Sequence, residues 1–247
     1  MMSEPIVCFP TCLVDLVGRR LADDVNTVLG AVGFSPIVAS GATCCGQPAF
    51  NAGHHAQARR VARRTLRRLG DTEGPIVVPS GSCTAMMRRH WVELFHGDRD
   101  EILAAAVAKR VREFSEVVDE RRRRLSAFEP RLNAVAGYHD SCHMLRELGI
   151  IDQPRRLLGY VDGLEVRPLA SGERCCGFGG AFSLRYPEVS VAMADDKLAD
   201  VRESGVDLLV SSDPGCLMQL GSRADRRGDP LRVLHVASVL AEAGVGR

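Results

Sequence analysis

The sequence predicts an α/β protein made of two duplicated βαβαβα cysteine-rich units, each with a short parallel sheet, related to one another by a pseudo-two-fold. Three observations lead to this fold class. Strand-like and helix-like segments alternate along the chain, which favours parallel sheets of the βαβ type. One pattern of cysteines occurs twice. In both copies, the cysteines follow a strand-like segment and precede a helix-like one, so the two halves are predicted to share one architecture.

The repeated pattern is centred on two pairs of adjacent cysteines, in SGATCCGQP and SGERCCGFG. A single cysteine precedes each pair, with 31 intervening residues in the first copy and 32 in the second. Another cysteine follows each pair, after 37 and 39 intervening residues. The eight cysteines of the pattern are Cys12, Cys44, Cys45 and Cys83, then Cys142, Cys175, Cys176 and Cys216. Because solenoid repeats are only roughly 20–50 residues long, a repeat of this length indicates duplicated domains.

The individual elements follow from short apolar runs and from helical periodicity. In the first unit, strands are predicted at 5–10, 35–40 and 74–81, and helices at 13–32, 54–70 and 83–95. In the second unit, strands are predicted at 134–141, 164–170 and 206–215, and helices up to residue 158, over 187–204 and from residue 216. Residues 231–244 add a strand and a final helix.

The two units are predicted to span residues 1–99 and 133–247. The residues between them, 100–132, are predicted to form a long amphipathic linking helix. Its four consecutive arginines, 121–124, are interpreted as a solvated helix face. A docking patch for an acidic partner is the less favoured alternative.

Composition narrows the class of protein. The chain is 45% hydrophobic and 26% charged, ordinary values for a globular protein with one hydrophobic core in each unit. A net charge of +1 gives no overall argument for nucleic-acid binding. The sequence shows no basic leader and no apolar run of membrane-spanning length, so a cytoplasmic protein is predicted. In that compartment, nine cysteines favour metal or redox chemistry over disulfide bonds.

The pattern cysteines are predicted to gather in two quartets beyond the carboxyl ends of the parallel strands, where ligands bind in open α/β sheets. Helix N-termini at that edge favour thiolates. Gly46, Gly177 and Gly179 are predicted to let the backbone approach a bound group closely and donate amides to it. Four thiolates suit zinc or an iron–sulfur cluster. Iron–sulfur is favoured because adjacent cysteines are expected to splay apart and no C-x2-C knuckle is present, with zinc and metal-free thiol chemistry as alternatives.

Some polar residues lie near the pattern without belonging to it. Cys8 has no counterpart in the second copy and is interpreted as a buried core thiol. His139 and His143 flank Cys142, and local hydrogen bonding is favoured for them over tuning of a metal centre or a proton relay. Asp213, at the end of a strand, is interpreted as a helix cap.

The segments FPTCLVD, TCCGQPAFNAG, YHDSCHMLRELGI, ERCCGFGGAFS and SDPGCLMQL resemble the CCG-domain family of cysteine-rich iron–sulfur proteins. This family includes the B subunit of heterodisulfide reductase, the iron–sulfur subunit of glycolate oxidase and lactate-utilization proteins. This chain resembles the lactate-utilization proteins in size and in having two CCG units. The resemblance implies that the eight pattern cysteines hold one iron–sulfur cluster per unit, of the 4Fe-4S type. It further implies an electron-transfer subunit of a complex that oxidises L-lactate to pyruvate, together with a ferredoxin-like iron–sulfur subunit and a third companion protein.

The chain departs from this family at one point. Many members end each unit in C-x2-C, whereas Ser80 and Asp213 stand at the first of those positions here. A four-thiolate cluster, or one with an oxygen ligand, is therefore expected, and disulfide-cleaving chemistry of the heterodisulfide type becomes the alternative. A zinc-stapled scaffold without enzymatic activity is the second alternative. No G-x-G-x-x-G fingerprint follows a strand, so the hydride-handling cofactor is expected on a partner, and no catalytic residue is assigned.

Overall fold

The computed structural model of the protein describes residues 3–17 and 19–247. Within these ranges the strands are β1 (Glu4–Cys8), β2 (Phe34–Val38), β3 (Ile76–Val78), β4 (Val111–Glu113), β5 (Arg131–Tyr138), β6 (Asp162–Arg167), β7 (Leu208–Ser211) and β8 (Arg232–His235). The α-helices are α1 (Cys12–Val17), α2 (Arg19–Ala31), α3 (Gln47–Asn51), α4 (His55–Gly70), α5 (Gly81–Ala85), α6 (Trp91–Leu94), α7 (Glu101–Ala108), α8 (Phe114–Glu120), α9 (Asp152–Leu158), α10 (Phe182–Arg185), α11 (Pro187–Glu203), α12 (Pro214–Arg227) and α13 (Val236–Glu242). Two π-helical segments, Met86–His90 and Met144–Leu148, and one 3-10 segment, Arg122–Phe128, complete the described helical elements. Of the helices in this part of the chain, none is both long enough and apolar enough to cross a bilayer.

The described strands form two parallel four-stranded sheets with the same topology. The first sheet has the order β2-β1-β3-β4 and the second has the order β6-β5-β7-β8. Every strand pairing is parallel, with Cys8 opposite Val38 in the first sheet and Gly137 opposite Leu209 in the second. The predicted α/β fold with two duplicated units is therefore confirmed.

The helices form where apolar side chains recur on one face. In α4, for example, Ala58, Ala62, Leu66 and Leu69 are buried at helical spacing. The exposed face of the same helix carries Arg60, Arg64, Arg67 and Arg68. The helix predicted over 13–32 is observed as α1 and α2, and its residue 18 lies outside the described residues.

The prediction of one long linking helix over residues 100–132 is wrong. The segment contains α7, then β4, then α8 and a 3-10 turn. Val111 pairs with Ile76, so β4 becomes the edge strand of the first sheet. A new helix, α8, begins after this strand, because Glu113 caps its N-terminus through a reciprocal capping box with Glu116. The positions of the unit boundaries stay a prediction.

The arginine run at 121–124 is not simply a solvated face. The Arg121 guanidinium donates to the Gly33 carbonyl at 3.3 Å and pairs with Glu4. Arg124 donates to the Val32 carbonyl at 3.0 Å. These bonds satisfy carbonyls at the end of α2, which a helix terminus leaves without intrahelical partners.

The two units share their largest apolar cluster, whereas the sequence predicted one core in each. This cluster joins α2 and α8 of the first half to α9 and α13 of the second; its fully buried members include Val28, Leu29, Phe114, Leu157, Val239 and Leu240. Smaller clusters cover the other side of each sheet. Burying a side chain of this kind stabilises the fold by about 1.5–3 kcal/mol. The shared cluster therefore holds the two units together as one body.

At the boundary between the units, α5 and α12 meet with their N-termini. The Gly81 amide donates to the Ser212 carbonyl at 3.1 Å. A Cβ at Gly81 would lie 2.7 Å from the Cβ of Met144, so the close approach requires glycine. Each of these helices carries the last cysteine of its unit, and the contact therefore brings the two cysteine sites to neighbouring positions.

Candidate metal centres

Three turns bring the cysteines of each unit to the carboxyl edge of its sheet. In the first unit, Cys12 begins α1 directly after Thr11, whose φ of 75° is in the left-handed region. The pair Cys44 and Cys45 follows β2, and Cys83 lies in the first turn of α5. The same placement holds in the second unit. The predicted position of the cysteines between strands and helices is therefore observed in both units.

In the first unit the four sulfur atoms form a continuous group. The Sγ atoms of Cys12 and Cys44 lie 3.7 Å apart, and those of Cys45 and Cys83 lie 3.3 Å apart. The Cys44 side chain also interacts with that of Cys45, which joins the two pairs. Of the adjacent cysteines, Cys44 pairs with Cys12 and Cys45 pairs with Cys83, and the expectation that they splay apart stays a prediction.

The second unit repeats this arrangement. The Sγ atoms of Cys176 and Cys216 lie 3.1 Å apart. The Cys175 side chain interacts with both Cys142 and Cys176. Each quartet thus has a buried pair, Cys45 with Cys83 or Cys176 with Cys216, and an outer pair that is only partly buried.

Glycines make the two paired-cysteine turns possible. Gly46 has φ of 89° and Gly177 has φ of 83°, both in the left-handed region. Their amides lie 3.4 Å from the Sγ of Cys44 and of Cys175, respectively. Gly179 also has positive φ, but its contact is with Phe182, where an added Cβ would lie 2.7 Å from the Phe182 Cβ. Gly46 and Gly177 are therefore the two glycines that act directly on sulfur.

The thiols of each quartet share their protons unequally. Hydrogen bonding from the Cys12 thiol lowers the pKa of Cys44, and hydrogen bonding from Cys142 lowers the pKa of Cys175. The same bonds, together with burial, raise the pKa of Cys12 and of Cys142. In each site, the neighbouring thiols and a glycine amide therefore favour the thiolate form of one cysteine, Cys44 or Cys175. A metal that binds all four sulfurs must displace the remaining protons.

Ser80 and Asp213 cap the helices that carry the last cysteines. The Ser80 hydroxyl accepts a hydrogen bond from the Cys83 amide at 3.3 Å. The Asp213 carboxylate accepts from the Gly215 amide at 3.1 Å, which confirms its interpretation as a cap. Its other oxygen accepts from the Ser82 amide at 2.7 Å. Backbone amides thus already bond to these oxygens, so Ser80 and Asp213 act as helix caps in this structure. The cysteine sulfurs remain the main candidate ligands for a metal.

Cys8 lies apart from both quartets. Its side chain is buried in the shared apolar cluster, on strand β1. Burial, and to a smaller extent the charge of Asp15, raises its pKa to about 12. The thiol is therefore protonated and lies in an apolar environment.

The second unit contains two buried polar side chains near the sulfurs that sequence reasoning undervalued. His139 is fully buried, and neither of its ring nitrogens has a hydrogen-bond partner in the described part of the chain. The local hydrogen bonding favoured for this residue is therefore wrong, whereas His143 does have a neighbour, with its Nδ1 3.5 Å from the Cys142 Sγ. Lys197 is also fully buried, and its ammonium donates to the carbonyls of Ser171 and Gly172.

Aligning the two copies of the repeat would have singled out His139 and Lys197, because the equivalent positions of the first unit carry different residue types. Phe9 stands three residues before Cys12, whereas His139 stands three residues before Cys142. In the first unit, Thr65 on α4 donates its hydroxyl to the Cys44 carbonyl at 2.9 Å, and in the second Lys197 on α11 supports the turn instead. Beside the second quartet, an imidazole thus replaces the phenyl ring of the first unit and an ammonium group replaces its hydroxyl.

The sulfur spacing suits a metal. Sulfurs held at roughly 2.3 Å from one tetrahedral ion lie about 3.8 Å apart, close to the 3.1–3.7 Å observed within the pairs. In the second unit, His139 joins Cys176 and Cys216 in a group whose ligand atoms all lie within 4.8 Å of one another. The donor set of four thiols per site, with one unpartnered imidazole, fits a thiolate-bound metal centre.

Comparison with known proteins assigns the family. A family model for the cysteine-rich CCG domain matches residues 6–88 and 136–221. Lactate utilization protein A of Geobacillus kaustophilus (strain HTA426) is 38% identical over 234 residues, which cover 94% of this chain and 96% of the relative. The protein of the same name from Anoxybacillus flavithermus (strain DSM 21510 / WK1) is 39% identical over 237 residues, covering 95% and 98%. That of Exiguobacterium sp. (strain ATCC BAA-1283 / AT1b) is 37% identical over 243 residues, covering 96% and 97%. With its two copies of the cysteine-rich domain and this similarity over nearly its whole length, the chain belongs to the CCG cysteine-rich domain family, among proteins of the lactate utilization protein A type.

Proposed function

We propose that this protein is an iron–sulfur electron-transfer subunit of a cytoplasmic complex that oxidises L-lactate to pyruvate. The observation that supports it most is the convergence of four cysteine sulfurs at the strand ends of each unit. The similarity to lactate utilization protein A supports the choice of lactate. Companion lactate-utilization proteins, a ferredoxin-like iron–sulfur subunit and a third subunit, are the proposed partners.

The eight pattern cysteines are the proposed ligands of two clusters of the 4Fe-4S type. Bound iron–sulfur clusters supply one-electron chemistry, with potentials set by charge, by hydrogen bonds to sulfur and by solvent exposure. Here Gly46 and Gly177 place amides 3.4 Å from the sulfurs of Cys44 and Cys175, where they stabilise negative charge. Gly179 shapes the turn that carries the second pair. The chain's own residues thus hold the metal and adjust its electrostatics.

The arrangement of buried and partly exposed sulfurs suits electron exchange. In each site the outer pair, Cys12 with Cys44 or Cys142 with Cys175, is only partly buried. A cavity of about 30 Å³ at the second quartet is lined by first-unit residues as well, among them Gln47 and Ser82. The two sites are therefore neighbours, which supports a relay of electrons within one chain.

The first test is the metal content. The full chain is purified without oxygen, and iron, acid-labile sulfide and zinc are measured per chain. We expect iron and sulfide in both units, because eight thiols converge in two quartets and the resemblance to the CCG-domain family implies one iron–sulfur cluster in each unit. Stoichiometric zinc without iron, even after anaerobic reconstitution, would reject the iron–sulfur assignment and support the scaffold alternative.

The second test addresses lactate. Deleting the gene, in a strain without another lactate dehydrogenase, is expected to stop growth on L-lactate but not on pyruvate. A Cys45→Ser variant is expected to behave like the deletion, whereas Cys8→Ala restores growth. Growth of the deletion strain on lactate would reject the role. Lactate oxidation by the purified chain alone would show that substrate chemistry does not require companions.

A further inference from the structure

His139 occupies a place that a buried imidazole rarely tolerates without a partner. The residue follows β5, and its side chain has no exposed surface. Its backbone is fully bonded, because its amide donates to the Val210 carbonyl at 2.8 Å and its carbonyl accepts from the Ser211 hydroxyl at 3.0 Å. Both ring nitrogens nevertheless lack a protein partner in the described ranges. Leaving such a group unsatisfied costs about 1–3 kcal/mol, so the ring needs a ligand that the protein itself does not supply.

The ring faces the buried sulfur pair of the second quartet. A nitrogen of His139 and the sulfurs of Cys176 and Cys216 all lie within 4.8 Å of one another. The three side chains are buried, and they come from three separate segments of the second unit. Imidazole nitrogen and thiolate sulfur together are a common donor set for zinc and iron. A metal placed between these atoms would satisfy the nitrogen.

The first unit lacks this nitrogen. The corresponding residue is Phe9, which is buried in one apolar cluster with Cys45 and Cys83. The phenyl ring supplies packing but no lone pair. The two sites therefore have the same set of sulfurs but differ in the residue beside the buried sulfur pair, which is Phe9 in the first unit and His139 in the second.

We propose that His139 is a nitrogen ligand of the metal centre in the second unit, which is then held by thiolates and one imidazole, whereas the first is held by thiolates alone. The inference rests on the proposed function where it concerns iron. It extends that function by making the two centres chemically distinct. Lys197, a buried cation of this region, donates to the Ser171 and Gly172 carbonyls and leaves the neutral His139 ring free to bind metal.

The test uses the full chain, loaded anaerobically with iron and sulfide and reduced with dithionite. Pulsed EPR measures nitrogen hyperfine coupling in protein grown with either ordinary or 15N-labelled histidine. We expect a strongly coupled nitrogen that changes with the label. The signal should be lost in His139→Phe, which installs the residue of the first unit, and kept in the matched control His143→Phe.

The result that overturns the proposal is iron-loaded protein whose histidine coupling is absent or only as weak as that of a hydrogen-bonded nitrogen. A strong coupling that survives in folded His139→Phe also overturns it. If that variant does not fold, the labelled wild type together with His143→Phe still assigns the nitrogen. If the protein takes zinc and no iron, the iron–sulfur function fails but this inference does not. Zinc-edge X-ray absorption of the same proteins then decides it, because an all-sulfur shell in the wild type rejects His139 and a nitrogen shell lost in His139→Phe supports it.

Discussion

The Asp213 carboxylate of the second unit accepts a hydrogen bond from the backbone amide of Ser82 in the first unit, with 2.7 Å between oxygen and nitrogen. The same carboxylate caps α12 through the Gly215 amide and lies 3.4 Å from the Ser141 hydroxyl. Ser82 precedes Cys83, and Asp213 precedes Cys216 by three positions. One side chain thus fixes the helices that carry the last cysteine of both units.

Removing this carboxylate is expected to weaken the link between the units. Asp213→Ala leaves buried amides without an acceptor, so we expect a loss of about 2–4 kcal/mol in the free energy of unfolding. Asp213→Ser is the matched control, because Ser80 caps α5 at the equivalent place. The serine variant should keep the cap, lose the contacts with Ser82 and Ser141, and have a stability between those of the alanine variant and the wild type. Urea unfolding of the metal-free protein measures all three, and equal stabilities for alanine and wild type would contradict the role.

Glu113 is expected to make stability depend on pH. It is fully buried, and burial raises its pKa to about 8 from an ordinary value of 4.5. Between these values the folded protein keeps a proton that the unfolded chain releases. The stability that Glu113 contributes is therefore fully present below pH 4.5 and is lost as the pH rises through 8. The slope contributed is at most about 1.4 kcal/mol per pH unit.

Glu113→Gln provides the control for that slope, because it retains an oxygen to accept from the Ser115 amide, a contact of 2.5 Å in the wild type. We expect the variant to gain on the wild type as the pH is raised from 5 to 8. Urea unfolding of both proteins at these two values gives the difference and cancels groups common to both. Parallel pH profiles would show that the carboxyl group does not titrate in this window.

Glycine at the two paired-cysteine turns is expected to be essential for metal binding. A Cβ at Gly46 would lie 2.8 Å from the Ala58 carbonyl oxygen, and one at Gly177 would lie 2.5 Å from that of Ser190. Alanine at either position adds a left-handed backbone cost of about 1–2 kcal/mol to this overlap. Gly53→Ala is the control, since Gly53 has φ of 79° and open space around it. Iron retained per chain should fall in the Gly46→Ala and Gly177→Ala variants only. A similar fall in Gly53→Ala would show that left-handed backbone strain, and not the position of the glycine at the cysteine turn, causes the loss of iron.

Metal content is expected to separate Cys8 from the pattern cysteines. Cys8→Ala removes a thiol from the shared apolar cluster and should leave iron and sulfide per chain unchanged. Cys45→Ser and Cys176→Ser replace buried members of the two quartets and should each lower the metal content of one unit. Anaerobic metal analysis of the three variants is the measurement. Loss of metal from Cys8→Ala to the same extent would show that the ligand register is wrong.

The sequence by itself determined the duplicated α/β architecture and the gathering of Cys45 with Cys83 and of Cys176 with Cys216. These features depend on local patterns, since an apolar run, a glycine turn and a helical period each lie within a few residues. Parallel sheets then bring the strand ends together whatever the rest of the chain does. The repeat supports the same prediction a second time, because the cysteine spacing of the first half recurs in the second half.

Only the tertiary structure decided how the halves fit together. The strand β4 hidden in the predicted linking helix, the shared apolar cluster and the bond between Asp213 and Ser82 all join segments far apart in the chain; the last two residues are 131 positions apart. The sequence shows that a histidine stands at position 139, but it does not show that the ring lacks a hydrogen-bond partner. That property depends on every segment packed around the ring. Local patterns cannot specify such contacts, since burial and pairing are properties of the folded surroundings and not of the residue itself.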